Sequence, residues 1–293
     1  MVEVLIRFVC IMRNFLFFIL LSLIYFEASA QNTETPTYLL KNKTNTFGLS
    51  TLSFLDPYLS PLTYKGIGLN YETKTSGFLS AQNKNIFIRS TTNIEVGIAL
   101  NPQITSAMMY VGANYGWGIQ YHFRIRNDLQ VLVGGMCDVD FGMKDVERNV
   151  NNPVNIDLST NLNITGTANY NLKLAKKTLR LQLDVLSPLL GCMFVPRAGA
   201  SYYEMFMLGN LTDAVHFSSL YNKRGINSTI AVYVPFNQSV WKFGLKLVDY
   251  KYSANSLVFN RNELSLIIGT TFDEIRFAGR KNIAPKNFIT VNE

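Results

Sequence analysis

The sequence predicts an all-β protein, an antiparallel transmembrane β-barrel that follows a cleaved signal peptide. From Ile156 to Leu174, every even position is apolar, small or threonine, and every odd position is polar. Successive side chains of a strand point to opposite faces, so this segment has one apolar face and one polar face. A strand in a soluble sheet keeps such alternation for about four to eight residues. The longer run favours a wall that crosses a bilayer and continues beyond it.

The N-terminus supplies a second observation. Asn14 to Phe26 is an apolar segment preceded by Arg13 and followed by the small residues Ala28-Ser29-Ala30. This order is typical of a secretory signal, and it predicts a signal peptide over residues 1–30 and export of the mature chain.

Two alternatives concern the same segment. Val2 to Phe26 is long enough for an uncleaved membrane anchor, although Arg7 and Arg13 interrupt it. Met12 offers a more compact start than Met1.

Composition is the third observation. Only 16% of the residues are charged and 13% are aromatic, while mean hydropathy is close to neutral at +0.11. A polar lumen averaged with a lipid-facing exterior gives such values. A secreted β-sandwich shares the alternation, but many runs here are longer than the typical soluble strand of about five or six residues.

The elements follow in order. Residues 31–62 are expected to be a periplasmic lead or plug segment, 63–277 the barrel, and 278–293 a polar C-terminal tail. We predict twelve strands, with ten as the fallback, since two runs near residues 200–208 and 212–223 are weak. The clearest two-faced runs are 93–100, 115–126, 156–174, 179–185, 241–247 and 263–272.

Three segments carry a resemblance to a known family. Phe54 to Leu62, Asn151 to Val154 and Ser201 to Asn210 occur in this order. The set resembles an uncharacterised family of Gram-negative outer-membrane β-barrel proteins that carries a domain-of-unknown-function label. The resemblance covers about residues 50–277 and implies a location in the cell outer membrane, without implying an activity.

Charged and polar side chains occupy the alternate positions of the predicted strands that point inward, which we call the inward parity. In one interpretation, opposite charges pair across a narrow interior and fill it, because an unpaired buried charge is costly. In the other, a basic lumen passes small anionic solutes. We favour the filled lumen. The predicted lumen-lining residues are Arg89, Glu95, His122, Arg124, Asp138, Asp140, Arg180, Asp184, Lys242, Lys246 and Glu263.

An enzymatic alternative depends on His216 and Ser218. Two residues apart on a strand, they share one face, so the imidazole could deprotonate the hydroxyl. The pair resembles the His-x-Ser pair of outer-membrane lipid A deacylases, which implies His216 as base and Ser218 as nucleophile. Those enzymes orient the histidine with a downstream glutamate, whereas here Glu204 or Glu263 would have to serve from elsewhere.

The remaining expectations concern ligands and partners. Cys137 and Cys192 follow the signal peptide, and Cys137 has the parity of a lipid-facing residue. The spacing predicts no metal site and no cofactor. The net charge of +7 is spread along the chain, so we expect no nucleic-acid partner.

The expected partners are outer-membrane lipid, the barrel-assembly machinery, and a small anionic solute or lipid. The predicted role is structural or binding, including passage of a small solute or lipid, with an outer-membrane lipid hydrolase as the alternative.

Overall fold

A computed structural model describes residues 38–80, 83–149, 152–174, 177–207, 213–236, 239–274 and 288–289. The predicted signal peptide, residues 1–30, lies outside the described residues. Thirteen strands and one short helix, α1 (Tyr202–Met207), are described. The strands are β1 (Tyr38–Leu39), β2 (Lys41–Asp56), β3 (Ser60–Phe78), β4 (Ile86–Leu100), β5 (Ala107–Arg124), β6 (Leu129–Asp145), β7 (Val154–Leu174), β8 (Lys177–Phe194), β9 (Val215–Ser219), β10 (Lys223–Phe236), β11 (Ser239–Ala254), β12 (Leu257–Glu274) and β13 (Phe288–Ile289).

The sheet closes on itself. Sequential strands pair antiparallel from β2 to β8 and from β10 to β12, and β12 returns to β2. The last seam joins β8 to β10, where residues 180–186 pair with 227–233. The antiparallel barrel is therefore confirmed, and its closed wall contains ten of the described strands, the fallback number rather than twelve.

The two weak predicted strands explain the difference. Residues 202–207 form α1 instead of a strand. Residues 215–219 form β9, which pairs only with the end of β8, from Leu190 to Phe194, and adds no strand to the circumference. β9 and β10 both run antiparallel to β8, so β9 continues the line of β10 across an interruption at residues 220–222.

The wall begins earlier than predicted. Lys41–Asp56, assigned from sequence to a lead or plug over residues 31–62, is the first wall strand and pairs with both β3 and β12. Its alternation is hard to recognise because its inward face mixes small polar residues with Leu52 and Phe54, and its outward face includes Asn45 and Ser53. The predicted tail is described only at Phe288–Ile289, which pairs in parallel with Tyr38–Leu39.

Connections differ between the two ends of the barrel. At one end, here called the loop end, lie the connections that follow β2, β4, β6, β8 and β11, including α1 between β8 and β9. At the other end, the turn end, lie both ends of the described wall and the connections that follow β3, β5, β7 and β10. Of the connections between the described wall strands and β9, the longest spans residues 195–214, of which 195–207 and 213–214 are described, and it is at the loop end.

The outward face is apolar around the whole circumference. Its large hydrophobic side chains are 37–66% exposed, although each belongs to a regular strand. A soluble protein rarely exposes so extensive an apolar surface, whereas a membrane barrel presents it to lipid. Members of this belt are Phe47, Leu49, Ile67, Leu69, Ile94, Val96, Ile98, Tyr115, Trp117, Ile119, Val139, Leu162, Ile164, Leu181, Leu183, Ile230, Trp241, Phe243, Leu245, Leu264, Leu266 and Ile268. No helix among the described residues is long and apolar enough to cross a membrane.

Apolar clusters occupy both ends of the interior. At the turn end, Phe78, Phe87 and Leu132 pack together with Leu39. At the loop end, a larger cluster brings wall residues against connection residues that fold inward, namely Tyr58, Leu59, Val146 and Val195. The polar part of the lumen lies between these clusters.

Candidate functional site: the charged lumen

Most of the predicted lumen residues lie on the inward face of the wall. Eight of them are buried: Arg89, Glu95, His122, Asp138, Asp184, Lys242, Lys246 and Glu263. Asp140 and Arg180 are partly buried. Arg124 is different, since it ends β5 and is exposed at the turn end.

Asp184 is the centre of the first charged cluster. The Lys74 ammonium on β3 forms an ion pair with Asp184 Oδ2 on β8. Arg89 Nη1 donates to Asp184 Oδ1 over 2.6 Å, and Thr167 Oγ1 donates to the same oxygen over 2.8 Å. One carboxylate therefore joins β3, β4 and β7 to β8.

A second cluster surrounds Glu263. Arg261 on β12 pairs with Glu95 on β4 and contacts Glu263 Oε2 at 3.4 Å. Asn70 and Ser265 donate to Glu263 Oε1 over 2.9 and 2.6 Å. Both carboxylates thus share one guanidinium, and Glu263 accepts further hydrogen bonds, which offset the cost of its burial.

Lys246 extends this polar layer towards β3 and β4. Its ammonium lies 3.5 Å from Glu72 Oε2 and donates to Asn93 Oδ1 over 3.3 Å.

Close by, Asp138 and Asp140 both accept from the Asn161 amide, over 2.7 and 3.2 Å. An amide donor between two carboxylates reduces their mutual repulsion.

The loop end contains a third cluster. Lys144 pairs with Asp56 at 2.9 Å and with Asp157 at 2.6 Å. Asn155 Nδ2 donates to Asp56 Oδ2 over 2.8 Å, and Tyr252 donates to Asp157 over 2.8 Å. These groups close the interior beneath the connections.

Two tyrosines attach the α1 connection to this cluster. The Tyr202 hydroxyl donates to Asn155 Oδ1 over 2.8 Å and accepts from the Ile156 N–H over 2.6 Å. Tyr58 donates to the carbonyl of Ala200 over 2.7 Å. Burial, together with the nearby Asp56 and Glu204 carboxylates, raises the pKa of Tyr58 to about 12. The Tyr58 hydroxyl therefore remains a donor at physiological pH.

The space between the clusters is small. One cavity of about 70 Å³ is lined by residues that include Tyr110, Lys144 and Arg261. Another of about 70 Å³ lies beside Glu72, Arg89 and Asp184. Ligand pockets usually measure about 300–1,000 Å³, so each cavity has room for a few water molecules.

His122 has a structural environment. Its ring packs against Phe87, with ring centroids 5.4 Å apart, and against Phe78 at 6.4 Å. Its Nδ1 lies 3.4 Å from the carbonyl of Lys84. The histidine therefore belongs to the apolar closure of the turn end.

His216 and Ser218 share one face of β9, opposite Met193 and Gly191. No hydrogen bond joins their side chains, and the His216 Nε2 atom is buried without a partner in the described residues. Ser218 is only 2% exposed. The structure thus places the two residues on one strand but does not assemble a nucleophile and its base.

The carboxylates considered for orienting His216 are engaged elsewhere. Glu204 accepts from the Ser201 N–H over 3.0 Å, while Ser201 Oγ accepts from the Glu204 N–H, which forms a capping box at the start of α1. Glu263 belongs to the Arg261 cluster.

Sequence reasoning missed several members of the charged clusters. They are Asp56, Glu72, Lys74, Lys144, Asp157 and Arg261. Lys74 and Arg261 lie near strand ends where the alternation of apolar residues is weak, so parity alone gave little signal.

Comparisons with known proteins give a family and several fold similarities. The model of a family described as "Protein of unknown function (DUF3316)" matches residues 15–281. Among curated proteins, no sequence matches this chain. The chain is similar to the transport unit of the autotransporter AIDA-I from Escherichia coli, with 10% identity over 84% of this chain and 94% of that one and a TM-score of 0.39. It is also similar to the translocator domain of the autotransporter NalP from Neisseria meningitidis, with 7% identity over 84% of this chain and 90% of that one and a TM-score of 0.36. The outer membrane protease OmpT from Escherichia coli is also similar, with 8% identity over 84% of this chain and 100% of that one and a TM-score of 0.40.

Proposed function

We propose that this chain, which belongs to the family described as protein of unknown function (DUF3316), is an outer-membrane barrel with a sealed lumen. Its role is structural or ligand-binding at the cell surface, rather than free diffusion of solutes. The observation that carries this proposal is the Asp184 cluster, in which one carboxylate holds Lys74 and Arg89 from facing strands across the interior.

The proposed location follows from the two faces of the wall. The apolar outward belt fits a lipid environment, and a closed barrel leaves no unpaired strand edge within it. Short turns face the periplasm and longer loops the outside in bacterial barrels, so the loop end would face the exterior. Export by a signal peptide and insertion by the barrel-assembly machinery belong to the same proposal.

The physical case against an open pore comes from the cost of separating the buried charges. Moving Lys74 or Arg89 aside would leave Asp184 without its partners, and breaking a buried pair costs about 3–5 kcal/mol. Several such layers lie in series along the axis, and apolar clusters close both ends. Passage of a small anionic solute would require all of them to rearrange.

Swelling of vesicles measures this directly. The mature chain is refolded into phospholipid vesicles, and its change in gel mobility on boiling verifies that it is folded. We expect the vesicles to remain impermeable to small sugars and to glutamate, as protein-free vesicles are. Swelling that scales with the amount of folded protein would contradict the sealed lumen and favour a pore.

A further inference from the structure

A row of polar side chains crosses the outside of the wall at the loop end of the apolar belt. It extends over five neighbouring strands, β10, β11, β12, β2 and β3. We call it the exterior polar row. Its members are Arg224, Lys251, Asp249, Asn262, Ser53 and Lys65.

The strand register brings the members of this row together. Arg224 on β10 is the direct partner of Lys251 on β11. Asp249, two residues before Lys251 on β11, is closer to the turn end and is the direct partner of Asn262 on β12. Asn262 is in turn the partner of Ser53 on β2, and Ser53 is the partner of Lys65 on β3. All of them are on the outward parity, and Arg224, Lys251 and Lys65 are exposed.

The Arg224–Lys251 juxtaposition is unfavourable for the protein alone. Like charges directly opposite each other on neighbouring strands are destabilising. Within the part of the chain that the structure describes, neither residue is in an ion pair. Asn262 lies beside the nearby Asp249 carboxylate, and its side-chain amide would donate to Oδ1 over 2.6 Å with its nitrogen turned towards Asp249. An anion from outside the chain would relieve the repulsion between the two cations.

The row borders a surface groove that is amphipathic. The groove has a volume of about 1,010 Å³ and is lined by Lys65, Arg224 and Lys251 together with apolar residues. Its apolar lining includes Ile226, Leu247 and Leu264, which are 38%, 43% and 48% exposed on the outward face, and Leu264 is a member of the outward belt. Cationic groups therefore lie beside the loop-end edge of a surface that faces acyl chains.

We propose that this groove binds a membrane lipid with an anionic, phosphate-bearing headgroup. The phosphate contacts Arg224 and Lys251, and the acyl chains lie along Ile226, Leu247 and Leu264. The inference rests on the proposed insertion of the barrel in the outer membrane, with the loop end in the outer leaflet. Lys and Arg side chains near a membrane surface attract anionic lipid.

Native mass spectrometry of the full mature chain in detergent tests this site. Phosphatidylglycerol and phosphatidylcholine with identical acyl chains serve as probes, and the wild-type chain should prefer the anionic lipid. The double variant Arg224→Gln/Lys251→Gln should weaken phosphatidylglycerol binding at least about tenfold and leave phosphatidylcholine binding unchanged. The matched control, Lys84→Gln/Lys173→Gln, removes two exposed cations near the turn end and should keep the wild-type preference.

Each other outcome contradicts the lipid site. No preference in the wild-type chain, or equal losses in the two double variants, would mean that the preference comes from overall charge and not from this groove. Lys65→Gln, on the far side of the groove, gives a second variant with an expected smaller loss if the double variant does not fold. The change in gel mobility on boiling is measured for every sample, so failure of the barrel itself is distinguished from failure of the site.

Discussion

Lys74 and Asp184 form an ion pair across the full width of the barrel. β3 and β8, which carry them, lie five positions apart in either direction around the ten-strand wall. Both side chains are about 10% exposed. The pair therefore joins opposite walls through the interior, and Arg89 on β4 adds a second cation to the same carboxylate.

Replacement of Asp184 by alanine should lower the stability of the barrel strongly. The change leaves two buried cations without their counter-charge, and the expected loss in the free energy of unfolding is about 3–5 kcal/mol. Urea titration, with the folded fraction read from gel mobility without boiling, measures it. Asp128→Ala is the matched control, because Asp128 pairs with Arg126 at the exposed turn between β5 and β6 and should show no measurable change. Equal effects of the two variants would contradict the bridging role of Asp184.

Replacement of Tyr202 by phenylalanine should loosen the α1 connection from the loop end. The variant loses the hydrogen bonds to Asn155 and Ile156, and a lost hydrogen bond of this kind costs about 1 kcal/mol. Tryptic cleavage after Arg197, which is exposed in the same connection, should then become roughly fivefold faster. Tyr221→Phe changes a side chain that is 98% exposed and should leave the rate unchanged. An unchanged rate for Tyr202→Phe would show that the connection is held by other contacts.

Alanine at Gly66 should disrupt the wall between β3 and β4. A Cβ atom there would lie 1.9 Å from the carbonyl oxygen of Ile98 and 2.5 Å from the Cα of Ala99. These are backbone atoms that move only with the strand, so we expect a loss of about 1–3 kcal/mol or more. At Gly166 an added Cβ meets nothing within 4 Å. Gly166→Ala should therefore fold with wild-type stability, and a larger loss there than at Gly66 would contradict the described register.

The two cysteines among the described residues report on the outward face. Cys137 and Cys192 are free and exposed, and both line an apolar groove with Tyr115, Trp117 and Phe217. In folded protein within vesicles, a sulfonated maleimide should not label them until the protein is solubilised and unfolded, because the reagent stays in water and a thiol among apolar groups forms little of the reactive thiolate. Mass spectrometry of intact protein counts the labels. Rapid labelling by the sulfonated reagent in vesicles would place this face in water.

The sequence was most informative where one face is uniformly apolar. β5 alternates from Met109 to Phe123 without interruption, and β7 alternates from Ile156 to Leu174, so a single strand reveals its two faces. β2 lacks that contrast, because threonine, serine and asparagine occur on both faces. The predicted start of the barrel was therefore too late.

Cross-lumen pairs could not be deduced from parity. Inward parity identified Asp184 and Arg89 as lumen residues, but which side chains meet depends on the register of all the strands between them. The inward fold of Tyr58 and Tyr202 lies in connections, which have no periodicity to read. Residues 202–207 show the same limit, since a weak strand was predicted near residues 200–208 while the capping box of Ser201 and Glu204 starts a helix.

Single-channel recording of the refolded wild-type chain in a planar bilayer tests the sealed lumen most directly. Each sample is first shown to change its gel mobility on boiling, so that only closed barrels are recorded. The clusters around Asp184, around Glu263 and around Lys144 bridge the lumen. We therefore predict no sustained conductance over the membrane voltages that the bilayer tolerates. A stable, reproducible open channel in the wild-type chain would contradict the account.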